Sequence, residues 1–296
     1  MNFTKISFPT FGIEIDPIRS FPLGPLNVHL YGVIIAVGLI LAVVYAMRRR
    51  TQFGLTEDDL IDGVLMIVPV SVIFARAYYC IFQWEQYAEN PLSVFYVWEG
   101  GLAIYGGVIG AALGIIAYCY FKKLKIAAVL DITALGFLIG QAIGRWGNFF
   151  NREAFGAVTE SFLRMGLYNS QTRSYTYYHP TFLYESLWNT AGFVLLHFLS
   201  KKRRYDGQIA LGYVAWYGLG RALIEGLRMD SLYIGTFRVS QLLAALSCLV
   251  ALGILIYMSM RKHDPADLFV NLRSARELEE AEVTEEETET EPGEEA

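Results

Sequence analysis

The sequence predicts an all-α, polytopic membrane protein with about seven transmembrane helices and a small extracytoplasmic cap. Three observations carry that reading. Of 296 residues, 54% are hydrophobic and only 18% charged, too apolar for an ordinary soluble domain. Apolar runs close to the ~20 residues that cross a hydrocarbon core recur along the chain. Basic residues cluster after alternate runs, as the positive-inside rule describes.

The candidate spans are Val28–Met47, Leu60–Phe82, Leu102–Phe121, Ile126–Ile143, Thr181–Leu199, Gln208–Ile224 and Val239–Met260. The fourth and sixth are short and interrupted by glycines. Arg48, Arg49 and Arg50 follow the first span, and Lys122, Lys123 and Lys125 the third. Lys201, Lys202, Arg203 and Arg204 follow the fifth, and Arg261 and Lys262 the seventh. Those twelve of the 24 basic residues fall on one side, whereas Gln83–Gly101 on the other has none. The N-terminus is therefore expected outside and the C-terminus in the cytoplasm.

Residues 1–27 then form an extracytoplasmic segment and 28–262 the membrane domain. Residues 152–180 form the cap, where Tyr175, Tyr177 and Tyr178 suit an aromatic belt. Met1–Phe21 lacks the basic and apolar regions of a cleavable signal peptide. Residues 263–296 read as a cytoplasmic acidic tail, disordered by composition. Glu277–Glu295 holds eleven glutamates and no Lys or Arg; setting them aside moves the net charge from −5 to +6. Cys80, Cys119 and Cys248 lie inside apolar runs and are expected to pack as small apolar groups.

The most informative stretch is Gly144-Arg145-Trp146-Gly147-Asn148-Phe149-Phe150-Asn151-Arg152-Glu153-Ala154-Phe155-Gly156, at the end of the fourth run. Polar groups beside hydrocarbon are costly unless partnered, and they mark a site. Asn148, Asn151 and Glu153 can fix guanidinium groups, leaving Arg145 to present its fork to a phosphate. An interfacial loop whose arginines merely snorkel to headgroups is the plainer alternative.

In this topology the second, fourth and sixth spans run outward, each with an arginine near its outer end: Arg76, Arg145 and Arg221. His29, Tyr31, Tyr105 and His179 also fall on the outer side. Arg221 and Glu225 are four apart on one helix face and can pair; Arg228 continues the series. Glu185, a turn inside the fifth span, needs a partner, and an ion pair with an arginine suits it. Tyr105 and Tyr31 could each donate to a phosphate or simply sit at the interface; spacing alone leaves both open.

There is no Walker-type phosphate loop, HExxH, CxxC or GxSxG, and four scattered histidines make no metal set. No metal, cofactor or nucleic acid is expected. An arginine-rich, metal-free, lipid-facing constellation favours phosphate recognition and charge stabilisation.

On these residues the chain resembles the bacterial phosphatidylglycerol–prolipoprotein diacylglyceryl transferase family, over nearly all of residues 20–260. The most specific match is Gly144-Arg145-x-Gly147-Asn148-Phe149-x-Asn151-x-Glu153-x-x-Gly156. Further matches are His29-Leu30-Tyr31-Gly32, Arg76-Ala77-Tyr78-Tyr79, Gly100-Gly101 to Tyr105-Gly106-Gly107, His179-Pro180 to Tyr184-Glu185, and Tyr217 to Glu225. The resemblance implies a multi-pass enzyme of the bacterial cell membrane. Its substrates would be phosphatidylglycerol and prolipoprotein signal peptides with a lipobox cysteine. Arg145 would bind the lipid phosphate, with Asn148, Asn151, Glu153 and Gly156 around it. Arg221 and Glu225 would complete the site, and Tyr31 and Arg76 would line it. Many members carry His where this chain has Tyr105. A tyrosine, with an unperturbed pKa of about 10, is a poor base at neutral pH, so the thiol is expected to ionise without it. The competing readings are a non-catalytic protein that binds anionic lipid and a lipid transporter with a site near the bilayer midplane.

Overall fold

The computed structural model describes residues 3–24, 26–97, 100–228, 233, 234 and 237–290, so the last residues of the expected tail, 291–296, lie outside the described residues. In chain order come β1 (Phe3–Phe8), β2 (Ile13–Ile15), β3 (Ser20–Leu23), β4 (Leu26–His29), α1 (Leu30–Arg49), α2 (Glu57–Phe82), α3 (Ile104–Lys122) and α4 (Ile126–Asn151). There follow β5 (Met165–Asn169), β6 (Ser174–Tyr178), α5 (Thr181–Ser200), α6 (Gln208–Glu225), β7 (Tyr233–Ile234), β8 (Phe237–Arg238), α7 (Val239–Ser259) and α8 (Phe269–Thr290).

The protein is mostly helical and carries membrane-spanning helices. Among the described residues five helices, α1, α2, α3, α4 and α7, are long and apolar enough to cross a membrane, where seven spans were expected. The two that miss that measure, α5 and α6, hold polar side chains: Glu185, Ser186, Asn189 and Thr190 in one, Arg221 and Glu225 in the other. The all-α expectation needs correction, because the chain is not purely helical. Among the described residues eight short strands form three antiparallel sheets, the largest ordered β2-β1-β5-β6.

The chain divides into two compact units. The first comprises residues 1–46 and 131–264. Its four-stranded sheet joins the N-terminal segment to the expected cap, pairing Ile6 with Leu167 and Met165 with Tyr178. Phe3, Ile6, Met165, Leu167 and Tyr178 make a buried cluster with Phe149 of α4 and Phe182 of α5. That cluster fixes the end of α4 against the start of α5. It also corrects Tyr178, which is a core residue tilted against Phe155, with ring centroids 4.5 Å apart, rather than part of a headgroup belt.

Helix α4 runs eight residues past the expected end of the fourth span, so most of the signature is helical. Gly144 and Gly147 do not break the helix because both admit α1 closely. A Cβ at Gly144 would lie 3.0 Å from Ile35 Cδ1, and one at Gly147 would lie 2.9 Å from Tyr31 Cε2. In lipid, where apolar burial drives little association, such small-residue contact is what lets helices pack.

The second unit comprises residues 47–130 and 265–296. Helix α2 opens with a capping box: Thr56 Oγ1 accepts from Asp59 N (3.2 Å) and Asp59 Oδ2 from Thr56 N (2.8 Å). Helix α3 lies on α2 along Gly106, Gly110 and Gly114, where a Cβ at Gly110 would come within 2.9 Å of Ser71 Cα. The stretch expected to be a disordered tail contains α8. Its start is held by Arg273, which donates to Asp59 Oδ2 (2.5 Å) and to Gly54 O (3.1 Å).

Candidate active site

Two buried carboxylates collect the arginines of the first unit. Glu185, on the first turns of α5, is 5% exposed, and Glu225, at the end of α6, is 2% exposed. Arg145 Nη2, from the signature part of α4, pairs with Glu185 Oε2. Arg221 Nη1 approaches the other oxygen, Oε1, at 3.5 Å, and Arg228 Nη1 reaches it at 3.4 Å. Arg221 also binds Glu225 Oε2 through Nη2 at 2.7 Å, as their four-residue spacing on one helix face requires. Arg228 Nε lies 3.9 Å from the same oxygen, and Arg238 donates to the Glu225 carbonyl. Thus Arg145 and Arg221, expected from separate spans, meet at one carboxylate. Glu185 has the arginine partners its position called for. Three guanidinium groups thus face two carboxylates.

A pair of tryptophans sets this geometry. Trp188 of α5 and Trp216 of α6 stack at 4.5 Å between ring centroids. Each indole N–H donates to the other's carbonyl, at 3.0 and 2.9 Å. Each ring also lies over a glycine of the opposite helix, Trp188 over Gly220 and Trp216 over Gly192. The clasp places Glu185 one turn from Trp188 and Arg221 beside Gly220. Neither tryptophan stood out in the sequence, where the sixth run read only as short and interrupted by glycines.

The rest of the signature folds beside the arginines. Asn148 and Asn151 both donate through Nδ2 to Glu153 Oε1, at 3.0 and 3.2 Å. Tyr31, whose ring covers Gly147, is within electrostatic reach of both Glu153 and Arg145. Gly156 is locked by neighbours on two sides. Its N–H donates to His179 O at 2.9 Å, it bridges Arg228, and Ala157 N donates to Leu227 O at 2.7 Å. A Cβ there would lie 2.8 Å from both His179 Cβ and Leu227 O, so only glycine fits without displacement. Thr181 Oγ1 donates to Ala154 O on the same loop.

Arg76 and Tyr105 belong to the second unit. Arg76 is 6% exposed and spends all five N–H donors on backbone carbonyls of one loop. Nε binds Val94 O at 2.7 Å, Nη1 binds Gly100 O and Gly101 O, and Nη2 binds Ser93 O and Tyr96 O. Nothing in the residue pattern points to this, because every acceptor is main chain. Tyr105, on the first turn of α3, is 54% exposed, with the Tyr78 ring 6.4 Å away. Among the described residues no group of three or more His, Cys, Asp and Glu could hold a metal ion.

Three comparisons bear on this arrangement. Residues 19–257 match the family described as prolipoprotein diacylglyceryl transferase. The chain is 46% identical over 250 residues to the phosphatidylglycerol–prolipoprotein diacylglyceryl transferase of Halalkalibacterium halodurans, covering 80% of this chain and 86% of that one. It is 41% identical over 257 residues to the enzyme of that name from Listeria monocytogenes, covering 85% and 92%. It is 41% identical over 265 residues to that of Limosilactobacillus reuteri, covering 87% and 95%. The matched span contains both buried carboxylates and every arginine around them, and this chain belongs to the prolipoprotein diacylglyceryl transferase family of membrane transferases.

Proposed function

We propose that the chain transfers the diacylglyceryl group of phosphatidylglycerol to the lipobox cysteine of a prolipoprotein, and that the arginine cluster of the first unit holds the lipid phosphate. The observation that carries the reading is the convergence of Arg145, Arg221 and Arg228 on Glu185. A largely enclosed, arginine-rich cluster suits a phosphodiester, which carries one negative charge. Bidentate guanidinium forks match its oxygens better than ammonium groups would.

In this mechanism the lipid enters sideways with its tails still in the bilayer. Arg145 and Arg221 clamp the phosphate. Glu185 and Glu225 hold both guanidinium groups in place before the lipid arrives, so little reorganisation is left for the reaction. The cysteine thiolate attacks the glycerol carbon that bears the phosphate ester. A carbon–sulfur bond forms, the carbon–oxygen bond breaks, and glycerol phosphate leaves with the electron pair. The arginines stabilise the charge that gathers on the departing phosphate. The thiol proton passes to water: a thiol of pKa about 8.5 is already partly ionised, and nearby guanidinium groups favour the thiolate further. Asn148, Asn151, Glu153, Gly156 and Tyr31 shape the wall beside the phosphate. Arg76 holds its own loop rather than the lipid.

We also assign α5 and α6 as membrane spans, giving seven, with the N-terminal sheet as an extracytoplasmic cap. Twenty and eighteen residues of helix span about 30 and 27 Å at ~1.5 Å per residue, close to the hydrocarbon thickness. Their polar side chains face partners inside the protein.

The test is Arg145→Ala in purified protein given phosphatidylglycerol vesicles and a lipobox peptide. Thioether formation should fall at least ~100-fold, the scale of losing one preorganised charge-stabilising donor. Near-normal transfer by that variant would dismiss the clamp.

A further inference from the structure

The signature helix α4 ends in a way that spacing alone does not reveal. Glu153 N donates to Asn148 O and Arg152 N to Phe149 O, both at 3.1 Å. This paired closure needs a left-handed residue at its bend, a place usually filled by glycine. Here Arg152 fills it, at φ 56°. A side chain with a Cβ is disfavoured in that conformation, so something else must hold it there.

What holds it is an anchor to the N-terminal segment. The Arg152 guanidinium is buried, and its Nη2 donates to Asp16 Oδ1 at 3.0 Å and to Pro17 O at 2.6 Å. Nη1 turns back to Phe150 O at 3.4 Å. Burial and the nearby Arg19 lower its pKa, but a guanidinium stays charged. The next residue is Glu153, exposed, with Oε1 occupied by Asn148 and Asn151 and Oε2 without a hydrogen bond among the described residues. The direction in which Glu153 leaves the helix is therefore set by the left-handed turn at Arg152.

We infer that Arg152 is a positioning residue for the transfer reaction. It acts as a strut from Asp16 and Pro17 that fixes the backbone turn delivering Glu153, with Asn148 and Asn151, to the wall of the lipid site. The inference rests on the function proposed above, and it makes the segment before β3 part of the active site's support.

Arg152→Ala is the informative variant, with Arg152→Gly as its rescue. Alanine keeps the Cβ that disfavours the left-handed turn but loses the strut, whereas glycine adopts the turn without one and should recover most of the lost kcat. In the purified protein with phosphatidylglycerol vesicles and a lipobox peptide, kcat of Arg152→Ala should fall ~10-fold, the scale of losing a supporting contact behind a site residue. KM for the lipid should stay within about twofold, because the arginine clamp is untouched. Asp16→Ala removes one acceptor from an exposed surface position and should lower kcat ~3-fold alone, yet add nothing in the Arg152→Ala background. A folded Arg152→Ala protein with wild-type kcat would overturn the strut, as would an Arg152→Gly protein no better than Arg152→Ala or a full Asp16→Ala loss in the Arg152→Ala background. Failure of the unmutated protein to transfer lipid would instead reject the proposed function, so the two failures are told apart.

Discussion

A carboxylate at Glu185 faces three guanidinium groups and is almost without solvent. Charges so placed cost much to desolvate, and their mutual attraction offsets that only while every partner is present. Glu185→Ala would take away the carboxylate that Arg145, Arg221 and Arg228 share. Removing one partner of a buried ion pair typically costs ~3–5 kcal/mol. The variant should therefore unfold at a clearly lower temperature in detergent, by near-UV circular dichroism, and should transfer no lipid. An unchanged melting temperature would mean that water already screens the cluster. At this scale the sequence was legible where partners are local. Arg221 and Glu225 could be paired from their spacing, and Arg145 stood out among glycines at the end of an apolar run. Arg76 and Arg152 were not legible, because carbonyl acceptors leave no trace in a sequence and Asp16 lies 136 residues from Arg152.

Between elements, the clasp of α5 and α6 does what apolar burial does in a soluble core. Two indole rings satisfy their N–H groups on each other's backbones while lying flat over Gly192 and Gly220. Both features need the helices close, so the arginine cluster inherits the spacing. A Cβ at Gly220 would come within 2.8 Å of Trp188 Cε2. Gly220→Ala should push the helices apart, destabilising by ~1–3 kcal/mol, the usual cost of overpacking. It should also lower kcat more than an equally destabilising change on the far face of α7, which separates site geometry from stability. Equal losses in both variants would argue that the clasp only holds the fold. Helix existence was legible here from hydropathy, since all seven runs are helices in the structure. The sheet was not. Its strands are three to six residues long, and β1 finds β5 some 160 residues away, a pairing that alternation within short segments cannot announce.

For the molecule as a whole, the placement of the site depends on orientation. Twelve basic residues follow the first, third, fifth and seventh runs, and from the positive-inside rule we propose that those ends are cytoplasmic. On that proposal Arg145, Arg221 and the sheet-bearing cap lie at the outer surface, where a prolipoprotein would present its cysteine. The buried native cysteines make a labelling test clean, because Cys80, Cys119 and Cys248 are all enclosed. Single cysteines placed at Ser170, in the turn between β5 and β6, and at Ser274, in α8, should report opposite sides. A membrane-impermeant maleimide applied to intact cells with a permeable cell wall should label Ser170→Cys at once. Ser274→Cys should react only after the membrane is opened. Labelling of Ser274→Cys in sealed cells would place the arginine cluster on the cytoplasmic face, away from any exported cysteine, and a lipid transferase built on Arg145 and Arg221 could not then meet its second substrate.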